Sequence, residues 1–314
     1  MSGNMPGAAD IEIPSSRPSV GRFAPSPTGP LHFGSLVAAI GSFLHVRKKG
    51  GQWLVRMEDV DKPREMPGAA DSILRTLDRF GLEWDGAVLY QSRRTASYEQ
   101  ALHMLQEKGF VYGCTCTRKE IAERAHMGLD GPVYPGTCRV KKDGHQSERA
   151  WRFIVPAQSV CFADELLGEH CFNMAADMGD FVVRRADGLF AYQLAVVVDD
   201  AAQGVTEVVR GADLLLSTPR QLVLQQALGL ATPTYLHLPL ALNADGEKLS
   251  KQTLAPSVAQ ADVSALWIQV LQFLGQAVPR ELEHAPMAEL RAWALANWLP
   301  ENIPRHAARV VVQL

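Results

Sequence analysis

The chain has 314 residues, enough for about two domains, or one large domain with insertions, at roughly 150 residues per domain. Its 47% hydrophobic and 21% charged residues exclude general disorder, and no apolar run approaches the ~18 residues that span a bilayer. A net charge of −3 excludes a polycationic coat, so any nucleic-acid site is a local patch, and five Cys predict reduced cytosolic thiols rather than a disulfide scaffold.

Residues 1–19 are rich in Pro, Gly, Ser and Ala and lack the parts of a signal peptide. They read as a disordered tail, with Met5 as a candidate start. A strand over 20–24 runs into the stiff turn PSPTGP. A helix over 33–49 follows, with Leu36, Ile40, Phe43 and Leu44 apolar and Gly50-Gly51 as its stop. Next come a strand over 52–57, a helix over 69–80 with Ile73, Leu74, Leu77 and Phe80 on one face, a short strand over 88–91 and a helix over 95–108. This β-α-β-α-β-α order predicts a parallel sheet covered by helices. The pattern breaks from Val111 to about Gly188, where short strands at 151–155, 160–164 and 181–185 read as an insertion of different architecture. Helix–strand alternation returns at 189–199, 206–210, 218–228 (a helix) and 235–242. Past Ala255 the chain is helical, notably over 263–274 and 287–298.

Two stretches carry phosphate chemistry. In RFAPSPTGPLHFGSL, residues 22–36, a strand leads through a Pro/Gly loop to a His and a Gly at a helix start. Gly34 allows close approach of a phosphate, the helix amides attract anions, and His32 can donate to a phosphate oxygen. In EKLSKQ, residues 247–252, two Lys flank a Ser on a loop that can close on polyphosphate. Taken singly, the first is equally an ordinary turn with a locally satisfied His, and the second a solvated charged loop.

Together these stretches resemble the class I aminoacyl-tRNA synthetases of the glutamyl/glutaminyl branch. His32-Phe33-Gly34-Ser35 matches the HIGH signature without its second His, and Lys248-Leu249-Ser250-Lys251-Gln252 matches KMSKS. RFAPSPTG, EDVD at 58–61 and AYQLAVVVDDAAQGVTEVVRGADLL at 191–215 extend the match over about residues 20–260. Within the branch, GSLVAAIGS at 34–42, KLSKQ at 248–252 and the length are most similar to the glutamyl-queuosine tRNA(Asp) synthetases. About sixty residues follow the second signature, too few for the large anticodon-binding domain of a conventional glutamyl enzyme.

The resemblance implies an α/β fold. A Rossmann-like parallel-sheet catalytic domain (20–113 and 189–255) is split by a zinc-bearing insertion (114–188) and followed by a short helical C-terminal region (256–314). It implies ATP with Mg²⁺ and L-glutamate as substrates, and the tRNA(Asp) anticodon stem-loop as acceptor. It also implies a cytoplasmic monomer with no membrane partner. His32, Gly34, Lys248, Ser250 and Lys251 would bind ATP, with His32 and Lys251 catalytic and Lys251 and Mg²⁺ holding the leaving pyrophosphate.

A glutamate pocket needs Arg for two carboxylates and a carboxylate for the ammonium. Arg22, Arg210 and Glu58 are candidates, with Tyr192 as a hydroxyl-bearing wall; these match glutamate-contacting positions of the family, together with Ala24 to Ser26. Asp199 and Asp200 also match, with no chemistry assigned beyond ordering the loop or capping a helix. Two other readings stand beside this one: a shortened enzyme charging the acceptor end of tRNA(Glu), and an inactive RNA-binding paralogue.

Within the insertion, Cys114, Cys116 and Cys138 have the spacing of a thiolate zinc site, or are buried structural thiols. The generic fourth ligands are His126 and His145; the resemblance points instead to Tyr134, and to one structural Zn²⁺. Cys161 and Cys171 lack such spacing and are expected to be small buried hydrophobes. The basic stretch Arg139, Lys141, Lys142, Arg149 and Arg152 could track an RNA backbone or be a solvated hairpin.

Overall fold

The structure is a computed structural model that describes residues 18–140, 150–243, 246, 258 and 261–311. Residues 1–17 of the tail expected over 1–19 and the signature loop with Lys248, Ser250 and Lys251 lie outside the described residues, as do His145, Lys141, Lys142 and Arg149.

The first half runs β1 (Val20–Phe23), α1 (Phe33–Lys48), β2 (Gln52–Met57), α2 (Ala69–Arg79), β3 (Leu89–Tyr90) and α3 (Thr95–Glu107). The middle holds β4 (Val111–Cys114), α4 (Arg118–Ala122), β5 (Met127–Gly128), β6 (Gly131–Pro132) and α5 (Thr137–Val140). It continues with β7 (Ala150–Phe153), β8 (Ser159–Asp164), β9 (Gly168–Asn173) and β10 (Phe181–Arg184). The last part comprises α6 (Tyr192–Ala202), β11 (Glu207–Gly211), α7 (Thr218–Leu228), β12 (Thr234–Leu238), β13 (Leu240–Leu242), α8 (Val263–Phe273), α9 (Met287–Asn297) and β14 (Ala308–Val310).

The central sheet has the order β3-β2-β1-β11-β12-β8-β9. All neighbours are parallel except β8 and β9. Its strands carry apolar side chains to both faces, as a sheet with helices on both sides requires. Val55, Val209 and Leu236 pack with α1, α8 and α9 in one core, while the other side meets α6 and α7. Helix α1 lies very close to the sheet. A Cβ on Gly21 of β1 would sit 2.2 Å from Val46, and one on Gly41 of α1 would sit 2.6 Å from Leu238 of β12, so each position accepts only glycine without a shift.

Three sequence expectations change. The stretch expected as a foreign insertion places β4, β7 and β10 in a separate antiparallel sheet, but β8 pairs with β12 and carries β9, so these two strands extend the central sheet. The single strand expected over 235–242 is two: Pro239 has no N–H for the ladder, and β13 leaves to pair with β14. Cys161 and Cys171 are exposed rather than buried, and they form a disulfide. The antiparallel register of β8 and β9 sets them directly opposite, so these two of the five Cys depart from the expected reduced set.

Helix α6 is tied in by Asp199, which is fully buried. Its carboxylate accepts hydrogen bonds from Gln91 Nε2 (2.9 Å), the Tyr98 hydroxyl (2.6 Å) and Arg94 Nε. Removing one partner of such a group strands the others in a low dielectric. Asp199→Ala should therefore lower stability by roughly 3–5 kcal/mol; chemical denaturation is the measurement, and an unchanged midpoint would refute the assignment.

Candidate active site

A cavity of about 790 Å³ opens at the carboxyl ends of β1, β2, β11 and β12. Sheet order reverses there: β1, β2 and β3 step outward one way, β11 and β12 the other. Ligands of open α/β sheets bind at such switch points. Arg22, Ala24, Ser26, His32, Gly34, Glu58, Tyr192 and Arg210 all line this cavity, so the described candidates for glutamate and ATP meet in one place.

Arg22 comes from β1 and is 3% exposed. Its Nε donates to Asp200 Oδ1 at 3.0 Å, and its Nη2 to Oδ2 at 3.5 Å. The same Asp200 Oδ1 accepts from Nη2 of Arg56 on β2 at 2.7 Å, while Arg56 Nη1 donates to Gln203 at 2.8 Å. Burial alone would raise the Asp200 pKa, but the two guanidinium groups hold it below the ordinary carboxylate value. Arg56, Asp200 and Gln203 were not singled out by sequence reasoning as a site network. Two consecutive acids inside the apolar run of α6 were the available signal, because buried acids are paired.

Glu58 follows β2, held by its backbone N–H to Pro25 O at 3.0 Å. Its side chain is 10% exposed and lies 3.6 Å from Arg56 Nη2. Oε1 is buried without a hydrogen-bond partner among the described residues. Burial pushes the Glu58 pKa up to about 7, against the opposing pull of Arg56 and Arg22. A carboxylate so placed is suited to an incoming cation.

Arg210 is the penultimate residue of β11 and is held on several sides. Nε donates to His237 Nε2 at 3.1 Å, Nη2 to Thr218 Oγ1 at 2.8 Å and to Leu214 O at 3.3 Å, and Nη1 to the Tyr192 hydroxyl at 3.5 Å. Tyr192 begins α6; burial keeps its phenol protonated, with a raised pKa, although Arg210 opposes the shift.

His32 caps α1. Its Nδ1 accepts from the Ser35 N–H at 3.4 Å, which leaves the ring proton on Nε2. The expected phosphate donor is thus oriented by the helix it caps, next to Gly34 at the first turn.

The second cluster lies in the middle segment. Sγ of Cys114, Cys116 and Cys138 lie within 4.8 Å of one another, and among the described residues they are the one group of three or more such side chains able to hold a metal. Sγ of Cys116 and Cys138 are 3.4 Å apart, and the Tyr134 hydroxyl is 3.4 Å from Sγ of both Cys114 and Cys116. These separations are close to the ~3.8 Å edges of a tetrahedron built on ~2.3 Å zinc–sulfur bonds, so the donor set fits zinc. His126 is turned elsewhere, with Nε2 2.9 Å from Ala176 O. Arg152, expected among RNA-facing cations, points inward: it is 9% exposed, with its guanidinium 4.0 Å from the Tyr134 ring and Nη1 donating to Asp180 O at 2.9 Å. Arg139 stays half exposed, 3.6 Å from Asp180.

Among the described residues no helix is long and apolar enough to cross a membrane. The family profile described as "tRNA synthetases class I (E and Q), catalytic domain" matches residues 20–277. Curated relatives named glutamyl-Q tRNA(Asp) synthetase include one from Dechloromonas aromatica, 58% identical over 92% of this chain and 97% of the relative. Another, from Chromobacterium violaceum, is 57% identical over 90% and 95%. A glutamate tRNA ligase from Elizabethkingia meningosepticum, solved in complex with its amino acid, shares the fold with a TM-score of 0.78 at 22% identity, over 94% of this chain and 67% of that one. With the cavity at the sheet's switch point and both matches spanning nearly the whole catalytic region, the chain belongs to the class I tRNA synthetases (E and Q) and, within them, to the glutamyl-Q tRNA(Asp) synthetase family.

Proposed function

We propose that the protein activates L-glutamate with ATP and transfers it to the queuosine base in the anticodon of tRNA(Asp). The observation that carries this reading is the charge pattern of one cavity: guanidinium groups of Arg22 and Arg210, and a Glu58 carboxylate whose buried Oε1 lacks a hydrogen-bond partner among the described residues. Two cations suit the two carboxylates of glutamate, and Glu58 suits its ammonium. Ala24 and Ser26 would border the amino acid, and Tyr192 would wall it.

In the first step a carboxylate oxygen of glutamate attacks the α-phosphorus of ATP, forming the acyl–phosphate bond and expelling pyrophosphate. His32, with its proton on Nε2, and the amides of α1 would meet the charge developing on phosphorus. Lys248, Ser250 and Lys251 would close over the polyphosphate, and Mg²⁺ would neutralise the leaving group. In the second step a hydroxyl attacks the activated carbonyl and releases AMP. Queuosine carries a cyclopentene diol, which offers the same vicinal hydroxyls as a terminal ribose; the names of the curated relatives support that acceptor. Among the described residues of the basic stretch, Arg139 keeps the exposure needed to meet an RNA backbone.

Bonds within the chain, through Asp200 and His237, hold the two arginines of the glutamate side in place. Adenylate formation should therefore proceed without tRNA. ATP–pyrophosphate exchange should respond to glutamate and not to glutamine or aspartate, since a lost charged hydrogen bond costs roughly 1.5–3 kcal/mol, or about ten- to hundredfold. Exchange appearing only with tRNA, or equal with glutamine, would overturn the reading. Labelled glutamate should attach to tRNA(Asp) bearing queuosine, with its terminal ribose oxidised after protection of the queuosine diol, and not to queuosine-free tRNA(Glu).

Glu58 sets a pH profile. Below about 7 its carboxyl is protonated in the empty enzyme and offers the ammonium no charge. The kcat/KM for glutamate should rise with pH up to about 7 and then level, whereas Glu58→Gln should be weak at every pH and lose this limb. A wild-type profile flat between pH 5.5 and 8 would argue against the role.

Cys114, Cys116, Cys138 and Tyr134 would together hold one Zn²⁺. Four protein ligands leave no open position, so the metal would be structural. Elemental analysis of metal-replete protein should give about one zinc per chain, falling when Cys116 and Cys138 are both replaced by Ser. Undiminished zinc in that variant would place the metal elsewhere.

A further inference from the structure

Behind Arg210 lies a buried pair, His237 and Asp164, of which the chemistry above uses only the bond from Arg210 to His237. His237 on β12 is wholly buried, and Asp164 at the end of β8 is 3% exposed. Asp164 Oδ2 lies 2.6 Å from His237 Nδ1, and His237 Nε2 lies 3.1 Å from Arg210 Nε. A guanidinium only donates, so Nε2 must accept and carries no proton. The ring proton is therefore on Nδ1 and is donated to Asp164. Thr218 agrees with this assignment: its hydroxyl accepts from Arg210 Nη2 at 2.8 Å and lies 3.3 Å from the same Nε2.

Asp164 is itself fixed. Oδ1 accepts from the N–H groups of Leu166 (3.0 Å) and Leu167 (2.9 Å), and the His237 N–H is 3.0 Å from Oδ2 and 3.3 Å from Oδ1. Burial would raise its pKa, but the hydrogen bond from the His237 ring, with the Leu167 and Leu166 amides, holds it below the ordinary value. Burial and the nearby Arg210 keep His237 neutral although Asp164 pulls the other way. One negative and one positive charge thus face each other across a neutral ring.

We propose that Asp164 and His237 are positioning residues for amino-acid recognition: Asp164 fixes the His237 tautomer, and that tautomer orients the Arg210 guanidinium toward the substrate carboxylate. The inference rests on Arg210 being a glutamate ligand. It gives the β8–β9 extension of the sheet a part in the site, since Asp164 is its innermost residue against β12.

Asp164→Asn tests it cleanly. The Asn oxygen can replace Oδ1 toward the Leu166 and Leu167 amides and keep the longer bond from the His237 N–H, which turns its NH₂ toward His237 Nδ1. The ring proton is then forced onto Nε2 and opposes the Arg210 N–H. In protein labelled with ¹⁵N-histidine, NMR should show His237 protonated on Nδ1 in the wild type and on Nε2 in the variant. In ATP–pyrophosphate exchange the variant should raise the KM for glutamate roughly ten- to hundredfold, leave the KM for ATP unchanged and reduce selectivity over glutamine. His237→Gln, whose amide oxygen can accept from Arg210, should stay closer to wild type than His237→Leu. A wild-type ring protonated on Nε2 overturns the inference, even if no variant folds. A flipped tautomer with unchanged glutamate KM overturns it too. Arg210→Ala separates the two levels: if that change leaves the glutamate KM untouched, the assignment of Arg210 fails first.

Discussion

The glutamate side of the cavity depends on one buried carboxylate. Asp200 receives Arg22 from β1 and Arg56 from β2 while standing on α6, so three elements meet at its two oxygens. Without it Arg22 and Arg56 would lose the hydrogen-bonded counterion they share in a dry wall, with Glu58 at 3.6 Å from Arg56 as the remaining acid, a loss far larger than a surface pair would cause. The neighbouring Asp199 points another way, to Gln91, Arg94 and Tyr98. Consecutive residues on a helix diverge by about 100°, which lets one turn of α6 clamp both the strands below it and α3 beside it.

The same geometry shapes what Arg22 can offer. Its Nε and Nη2 are committed to Asp200, and Nη1 has no protein partner among the described residues. Arg210 is similar: Nε is held by His237 and Nη2 by Thr218 and Leu214, while among the described residues Nη1 reaches only the Tyr192 hydroxyl on the cavity wall. A side chain with several rotatable bonds ordinarily loses entropy on gripping a ligand. Here that ordering is complete in the folded protein, and each arginine presents a fixed edge.

Much of this was legible from the residues. The parallel first half followed from apolar periodicity and Gly stops, and the strand over 52–57 and the helix over 218–228 have the bounds expected. His32 at a helix start and the Cys114, Cys116, Cys138 spacing were visible because local chemistry fixes them. The supporting residues were not. Arg56, Asp164 and His237 sit in apolar strands or at their ends, where one polar residue reads as an interruption, and their partners lie 144, 73 and 27 residues away. The Cys161–Cys171 pair was missed because 168–173 was not read as a strand, and without β9 there is no register to oppose the two.

Charge explains why such supports are needed at all. Around the amino-acid end, Arg22, Arg56 and Arg210 face the carboxylates of Asp200 and Glu58, and Asp164 faces Arg210 across the neutral His237 ring. Glutamate brings two carboxylates to the cavity-facing edges of Arg22 and Arg210 and one ammonium to Glu58. Glutamine would bring one carboxylate fewer and leave one of those guanidinium edges without an anionic partner. Selectivity of this kind needs one edge of each arginine kept for the substrate, and the structure keeps it by holding the other edge of Arg22 on Asp200 and of Arg210 on His237. Asp200 is the counterion that permits Arg22 and Arg56 to be buried. Glu58, with its pKa near 7, is the adjustable one: ionising it creates the negative charge that an ammonium then stabilises. The site thus keeps a fixed acid to build the pocket and a responsive acid to meet the substrate.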